Sequence, residues 1–331
     1  MAYSPFVPLR VFSSYTMLEG AIEPKAIAKA ARERGFPAIA ICDRNGLYGA
    51  MAFGDACKAA GVQPIVGALL SVARPGQRLA NGAAQIDWLA LYAQDETGYG
   101  NLCALVSRAH LGRPVEMDPH VTLADMAGRT DGLICLTAGG EGALTRLLAG
   151  EQMVAANDYI EQLEALFAGR LYLELSRRGD AAEITAEKAL IDLAYARALP
   201  LVATNPASFV EPQFHPAHDA MLCIAQSAYV ESTDRRVSSP EAWLKPAEAM
   251  EDAFSDLPEA MRNTVVVAQR CAFMAPNRAP ILPSLAGDRE AEAAQLARDA
   301  RDGPNMRLAL YAELTDDEGQ TYIDRLDFEV G

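Results

Sequence analysis

The sequence has few histidines and none of the glycine-rich loops that cradle nucleotides. Four of its 331 residues are histidine, which restricts any histidine-rich metal site. No G-x-G-x-x-G motif follows the first predicted strand, and G-x-x-x-x-G-K-[ST] does not occur. The two common modes of nucleotide binding therefore have no support. No Gly-x-Ser-x-Gly motif is present either, so a Ser/His/Asp triad has no support.

Long apolar runs and paired cysteines are also missing. No apolar run reaches the roughly 20 residues that span a bilayer, and the N-terminus lacks the basic and apolar segments of a secretion signal. The cysteines are scattered without C-x-x-C spacing, which favours buried free thiols. They are Cys42, Cys57, Cys103, Cys135, Cys223 and Cys271. We expect a cytoplasmic protein without a membrane partner.

Basic residues are in the minority, with 29 Lys and Arg against 44 Asp and Glu and a formal charge of −15. Binding to a nucleic-acid backbone draws its affinity from clustered Lys and Arg. This balance argues against DNA binding by the chain itself. The alternative is a larger protein whose basic surface lies elsewhere.

The chain contains seven short apolar runs typical of strands, with helical patterns between them. The strands are predicted at 6–12, 38–42, 63–72, 86–93, 132–137, 171–176 and 201–205. The helices are predicted at 24–34, 50–60, 97–110, 151–167 and 180–198. Repeated strand–helix units predict parallel crossovers, hence a barrel or an open sheet. Without a nucleotide loop a barrel is favoured, and its functional side chains gather at the carboxyl ends of the strands.

After about residue 212 the alternation stops and helical patterns follow. They cover 214–227, 240–254, 257–271 and 288–302. The proline-rich stretch 275–285 predicts an extended arm. Thr315, with Glu318 three residues on, has the form of a capped helix start.

Several stretches together resemble one family over most of the chain. They are FVPLRVFSSYTMLEGA, AIAICDRNGLYGA, ETGYGNL, LYLELSRRG, LVATNPASFV and DDEGQTYIDRLDFEVG. They are similar to the N-terminal PHP (polymerase and histidinol phosphatase) region of bacterial DNA polymerase III alpha subunits. The resemblance implies an α/β fold, a PHP-type distorted (β/α)7 barrel with a C-terminal helical extension. It implies a PHP domain over 1–272, with the barrel at about 1–210 and the extension at 211–272. Residues 273–331 would form a proline-rich arm and a truncated connector towards the polymerase palm.

Metal-bearing members of this family hold two or three cations at the barrel end, with His, Asp, Glu and Cys ligands. Where their first strand reads His-x-His, this sequence has Arg10 and Phe12. Their next acid, an aspartate, corresponds to Glu19. Their Asp-His pair corresponds to Asp43 and Arg44, so the carboxylate is kept and the imidazole is lost.

The other ligand positions have also changed. A glutamate that ends the third strand in relatives corresponds to Leu69, and a histidine that begins the fourth corresponds to Trp88. The cysteine after the fifth strand aligns with Gly139, across a gap. The last Asp-x-His corresponds to Pro206 and Ser208. The resemblance therefore implies a vestigial pocket without a metal cluster, although one Mg²⁺ between the two remaining carboxylates stays an alternative.

Guanidinium groups can replace the lost positive charge, because they bind carboxylates in a fixed fork geometry. We hypothesise that Arg10 and Arg44 pair with Glu19 and Asp43. Replacing Asp43 with alanine should then destabilise the domain by stranding an arginine. The apolar side chains at three former ligand positions would fill the vacated volume: Phe12, Leu69 and Trp88. The alternative is that these charges line a wet groove.

Three other candidates have simpler interpretations. His215 and His218 stand beside the pocket motif TNPAS, where they are expected to begin a helix rather than to bind metal. Ser13 and Ser14 sit where a turn is needed. Glu141 is expected to open a helix, where a carboxylate meets the exposed N–H groups.

The resemblance implies the N-terminal part of a DNA-directed DNA polymerase of replication, a nucleotidyltransferase. Its catalytic site would lie in the palm, which this chain lacks and where Mg²⁺ is expected. This part would have no cofactor and no catalytic residue. It would act as an inert scaffold that supports the rest of the polymerase chain and docks the proofreading exonuclease subunit, with DNA reached only through the full-length protein. The alternatives are a metal-dependent phosphoesterase or 3′–5′ exonuclease, and the PHP domain of an error-prone polymerase paralogue.

Overall fold

The computed structural model describes residues 4–79, 82–311 and 315–330. The chain divides into two compact units, Met1–Ala275 and Pro276–Gly331. Within the described part of the chain, no helix is both long and apolar enough to cross a membrane.

The first unit is built on a curled sheet of six strands in sequential order, β1 to β6. Their bounds are β1 Ala38–Arg44, β2 Gln63–Arg78, β3 Ala84–Ala93, β4 Leu133–Leu136, β5 Leu171–Leu175 and β6 Leu201–Ala203. The pairs β1/β2, β4/β5 and β5/β6 are parallel. The predicted mixed α/β barrel class is confirmed.

The first predicted strand, 6–12, closes this sheet through backbone hydrogen bonds on both sides. Ala40 N donates to Pro8 O and Cys42 N donates to Val11 O, both at 2.9 Å. On the other side, Phe12 N donates to Ala207 O at 2.9 Å, just beyond β6. The segment therefore lies between β1 and the chain that follows β6, as isolated bridges rather than as a regular strand.

The prediction of parallel crossovers is wrong at β3, which runs antiparallel to both β2 and β4. β2 extends to Arg78, six residues beyond its predicted end, and β3 begins at Ala84. So short a connection suits an antiparallel pair, because a parallel crossover needs a dozen residues or more. In the sequence, the only sign of this antiparallel pairing was that no helical pattern lies between the two apolar runs.

Twelve α-helices are described. They are α1 Pro24–Glu33, α2 Ala50–Ala60, α3 Glu96–Leu111, α4 Leu123–Met126, α5 Ala143–Ala149, α6 Met153–Leu166, α7 Ala181–Ala196, α8 His215–Gln226, α9 Ala247–Ala253, α10 Pro258–Arg270, α11 Arg289–Leu308 and α12 Asp316–Val330. Capping explains several bounds: Asp95 accepts from Gly98 N at 2.8 Å at the start of α3, and Asp180 caps α7. The helix predicted at 240–254 begins only at Ala247, because 240–246 adopts a turn and an extended segment.

Apolar side chains form two layers on the two faces of the sheet. Successive residues of β2 alternate, so Leu69 faces the inner layer and Leu70 the outer layer, which packs under the helices. Helix α10 joins the inner layer through Val267 and Ala268. Its Thr264 Oγ1 accepts from Val7 N at 3.1 Å, so α10 covers the end of the barrel where the first segment enters. The carboxyl ends of the parallel strands meet at the opposite end, called the barrel mouth below.

The second unit contains α11 and α12. The predicted capped start of the last helix is confirmed, since Thr315 N donates to Glu318 Oε2 at 3.0 Å and Glu318 N to Thr315 Oγ1 at 3.4 Å. Arg301 Nη2 and Asp327 Oδ1 pair at 3.2 Å between the two helices. Residues 275–285, where an arm is predicted, hold neither helix nor strand.

Candidate functional site

Arg10 lies at the centre of the barrel mouth and is completely buried. Its Nη1 donates to Glu174 Oε1 at 2.8 Å, and its Nη2 donates to Glu141 Oε2 at 3.0 Å. Glu174 also accepts from Thr204 Oγ1 at 2.7 Å and from Ala138 N at 3.0 Å. Burial by itself would lower the pKa of Arg10, but the attraction of Glu174 and its neighbours raises it above its usual value. Arg10 is therefore a buried, charged cross-link between the first segment and β5.

Arg44, at the end of β1, makes a second set of ion pairs. It grips Glu19 in a fork, with Nε to Oε2 at 2.6 Å and Nη2 to Oε1 at 2.8 Å. Its guanidinium lies 4.5 Å from the ring centroid of Trp88 and 5.0 Å from that of Phe12. Arg236 also donates to Glu19. Burial would raise the pKa of Glu19, but the two arginines lower it to about 2.

Glu141 joins the two arginines, because Oε2 accepts from Arg10 and Oε1 from Arg44. It ends a short 3-10 helix, Gly139–Glu141, directly after β4. Burial would raise the pKa of this carboxyl, but Arg44 and then Arg10 lower it below its usual range. The expectation that Glu141 serves a helix N-terminus is wrong, since its carboxylate turns to the arginines instead.

Asp43 takes no part in these ion pairs. It accepts from Ser13 N at 2.7 Å, from Ser13 Oγ at 2.6 Å and from Thr16 Oγ1 at 2.7 Å. Burial raises its pKa despite these three hydrogen bonds. The predicted pairing is therefore confirmed for Arg44 with Glu19 and is wrong for Arg10 and for Asp43. The turn after the first segment therefore folds around the Asp43 carboxylate, to which the side chains of Ser13 and Thr16 donate.

Two carboxylates of the network were not predicted from the sequence: Glu174 was missed, and Glu141 was assigned to a helix start. Glu174 had a signal, because it is a charged residue inside the otherwise apolar strand LYLEL. Such a residue must find a partner inside the protein. Glu141 had a weaker signal, its position in the loop that follows the carboxyl end of β4.

The remaining predicted pocket residues lie around the network. Leu69 and Phe12 are buried in the inner core and Trp88 packs against it, half-buried. Gly139 has φ of 50°, and a Cβ there would lie 3.0 Å from Ser176 Oγ. Pro206 and Ser208 line a cavity of about 410 Å³ that opens above Arg44.

His218 also lines this cavity, so the expectation that it stands only beside the pocket is wrong. Its Nε2 lies 2.7 Å from Glu19 O and its Nδ1 2.6 Å from Ser238 Oγ. Burial lowers its pKa. His215 begins α8, as predicted, and its Nε2 lies 2.9 Å from Ser238 O. Both imidazoles are thus engaged in hydrogen bonds within the fold.

The donor set does not fit a cluster of two or three cations. Such a cluster needs several imidazoles and carboxylates converging on each ion. Here guanidinium groups stand between the carboxylates. The carboxylate oxygens of Glu19, Glu141 and Asp43 accept hydrogen bonds from N–H or O–H donors instead of facing a shared cation position. Among the residues described, no three His, Cys, Asp or Glu side chains are grouped so that they could hold a metal ion.

Several relatives with curated names are DNA polymerase III alpha subunits. The subunit of Caulobacter vibrioides is 43% identical over 328 residues, which cover 98% of this chain and 28% of that protein. The Rickettsia conorii subunit is 33% identical, with 92% and 25% covered, and the Escherichia coli K12 subunit is 33% identical, with 93% and 26% covered. The chain therefore spans about a quarter of the length of these relatives, in their N-terminal region.

A putative metal-dependent phosphoesterase from Bifidobacterium adolescentis is a structural neighbour, with a TM-score of 0.43 and 14% identity over 60% of this chain and 86% of that one.

The PHP domain family model matches residues 8–178. That range is more than half of the chain and includes Arg10, Arg44, Glu141 and Glu174. This chain is a member of the PHP domain family.

Proposed function

We propose that this chain is the N-terminal PHP region of a DNA-directed DNA polymerase and works there as a catalytically inert scaffold. The observation that carries the proposal is the pair of guanidinium groups, Arg10 and Arg44, held among three carboxylates at the barrel mouth. The resemblance to metal-bearing relatives places metal ligands at these two positions, so we regard the pocket as a vestige of a metal site.

Hydrolysis of a phosphodiester needs an activated water, which PHP enzymes obtain from bound cations. A carboxylate could act as a general base only if it could accept a proton at working pH. The pKa of Glu19 and the pKa of Glu141 are both lowered by the arginines, so these groups are poor bases near neutral pH. This argument supports an inert pocket.

A scaffold function gives the network a physical purpose. Its ion pairs connect the first segment, the end of β1, the turn after β4 and β5, which lie far apart in the sequence. Removing one member of a buried ion network leaves an uncompensated charge, so such networks favour one arrangement of the elements that they join. A fixed barrel mouth suits a domain that supports the rest of a polymerase chain.

Primer extension is the activity proposed for the whole protein, with the palm outside this chain and DNA bound only through the full length. The excess of acidic residues supports that division of labour. The six cysteines, all within the described residues, form no disulfide and five of them are buried, which supports a cytoplasmic location.

Elemental analysis after refolding without chelator, with Zn²⁺, Mn²⁺ and Mg²⁺ each offered in excess and then removed by dialysis, tests the inert pocket. We expect well below one ion per chain and no release of 3′-terminal nucleotides from single-stranded DNA. Stoichiometric metal together with chelator-sensitive nuclease activity would support a metal-dependent phosphoesterase instead. Primer extension by the full-length protein tests the polymerase proposal separately.

Docking of the proofreading exonuclease subunit is the remaining part of the proposal. Co-elution of this chain with that subunit in size-exclusion chromatography tests it, at micromolar concentrations of both. A complex of one to one would support docking on this region. Binding that requires the full-length polymerase would assign the docking surface to another part of the protein.

A further inference from the structure

Residues 228–239, here called the strap, follow α8, and the last four of them line the cavity at the barrel mouth. The strap contains neither helix nor strand. It begins after Ser227, which ends α8 with φ of 51°, and it stops at Pro240. Val237, Ser238 and Ser239 of the strap line the cavity. Access to Arg44 from solvent therefore depends on where the strap lies.

One ion pair between Arg235 and Asp219 of α8 holds the strap. Nη1 of Arg235 donates to Asp219 Oδ1 at 2.9 Å and Nη2 to Oδ2 at 2.8 Å. The same carboxylate accepts from Ser238 N at 2.8 Å. Arg235 Nη2 also donates to Val230 O at 2.9 Å, so its side chain, 7% exposed, closes the strap on itself.

Further polar contacts hold the end of the strap. Arg236 donates to Glu19, although its side chain is 53% exposed. Ser238 is in contact with both imidazoles, its Oγ with His218 and its carbonyl with His215. The strap is thus attached both to α8 and to the ion network of the barrel mouth.

Apolar burial contributes little to this attachment. Tyr229 is 79% exposed, Val230 52% and Val237 60%. Segments that bury little apolar area open at a free energy well below that of global unfolding. The pair of Arg236 with Glu19, whose arginine side chain is 53% exposed, also weakens as ionic strength rises.

We propose that the strap is a lid, which opens as a unit when the Arg235–Asp219 pair breaks while the barrel stays folded, and thereby widens the mouth of the cavity. Arg235 marks the opening, because its guanidinium binds both Asp219 of α8 and the carbonyl of Val230 in the strap. The contacts of Ser238 with Asp219 and His215, and of Arg236 N with Gln226, must separate in the same step. This inference does not depend on the polymerase or scaffold proposal.

Limited trypsin digestion tests this lid directly. Trypsin must take the Arg235 side chain into its own pocket, so cleavage after Arg235 requires the side chain to leave Asp219. We expect Asp219→Asn to speed this cleavage about tenfold and to speed amide exchange across 228–239, with the thermal midpoint of the domain changed by only a few degrees. Asp192→Asn, which breaks the exposed pair Lys188–Asp192 on α7, is the matched control and should leave both rates unchanged.

Cavity access has its own readout. A Ser208→Cys substitution places a thiol on the cavity wall, and its rate of alkylation, followed by mass spectrometry of that peptide, should rise in the Asp219→Asn background. Even if Asp219→Asn fails to fold, amide exchange of the wild-type protein decides the matter. Exchange of the strap at the rate of β2 and α10, or cleavage after Arg235 only in step with global unfolding, would overturn the proposal. Faster exchange of the strap, further increased by 0.5 M salt, would support it.

Discussion

Arg10 Nη1 and Glu174 Oε1 lie 2.8 Å apart, and both side chains are completely shielded from solvent. The pair joins residues separated by 164 positions in the sequence. Taking both charges out of water costs several kcal/mol per ion, which their attraction repays only when the geometry is good. The pair therefore matters most when one member is removed and the other remains buried without compensation.

Replacing Arg10 with methionine should destabilise the first unit by about 3–5 kcal/mol, because Glu174 then stays buried without its cation. For a domain of this size the thermal midpoint should fall by on the order of 10 °C. Urea unfolding followed by circular dichroism measures the loss.

The double variant Arg10→Met with Glu174→Gln is the informative control. Glutamine keeps an acceptor for Thr204 Oγ1 and removes the stranded charge. We expect the double variant to be more stable than Arg10→Met alone. A loss equal to the sum of the two single losses would mean that the pair has no coupling energy.

Much of the fold could be predicted from the sequence, because its signals are local. Pro24 begins α1 and Gly61 follows the end of α2, as expected of these residue types. The antiparallel direction of β3 could have been inferred only from the missing helix between two strands. The bridging geometry of segment 6–12 could not be predicted from the sequence, since it depends on backbone pairing with residues near 40 and 207.

The site was predictable by position but not by partner. The resemblance implies that Arg10 and Arg44 stand at former ligand positions, which stays a prediction, and local reasoning paired Arg44 with Glu19 correctly. It failed for Arg10, because the choice among several carboxylates depends on where Glu141 and Glu174 arrive in three dimensions. Asp43 was assigned an arginine, although the nearby hydroxyl groups of Ser13 and Thr16 satisfy it.

Asp43→Ala should still destabilise the domain, by about 2–4 kcal/mol, because Ser13 N, Ser13 Oγ and Thr16 Oγ1 lose a buried acceptor. Asp43→Asn should cost clearly less, since its amide oxygen can accept from Ser13 and its NH₂ can donate to Thr16. Thermal unfolding of the two variants side by side checks this order. Equal losses would favour a role for the charge itself.

The backbone at Gly20 should tolerate no side chain. A Cβ at this position would lie 1.9 Å from Ser13 O. The same turn carries Glu19 and the two residues that donate hydrogen bonds to Asp43, Ser13 and Thr16. Gly20→Ala should therefore destabilise the domain by about 1–3 kcal/mol. Gly100→Ala, in the exposed middle of α3 with no atom within 4 Å of the added methyl, should be neutral or stabilising by up to about 1 kcal/mol. Chemical denaturation measures the free energy of unfolding of both variants. If Gly20→Ala leaves this free energy unchanged, the turn can shift to make room for the methyl group.

Glu19 should make stability depend on pH in the acid range. Its pKa is about 2 in the folded protein against 4.5 ordinarily, so its ionised form stabilises the fold fully above pH 4.5. That contribution is lost as pH falls from 4.5 towards 2. Glu19→Gln should therefore be less stable than wild type by about 2–3 kcal/mol at pH 6, and the difference should shrink steadily between pH 4.5 and 3.

Urea unfolding of both proteins at pH 6, 4.5, 3.5 and 3 measures this difference, and other acidic groups cancel in the comparison. Glu33→Gln breaks an exposed pair with Lys29 and serves as the matched control. Because exposed pairs contribute little, we expect it to differ from wild type by less than about 0.5 kcal/mol throughout. A gap between wild type and Glu19→Gln that stays constant down to pH 3 would contradict the assignment of Arg44 and Arg236 as the groups that keep this carboxylate ionised.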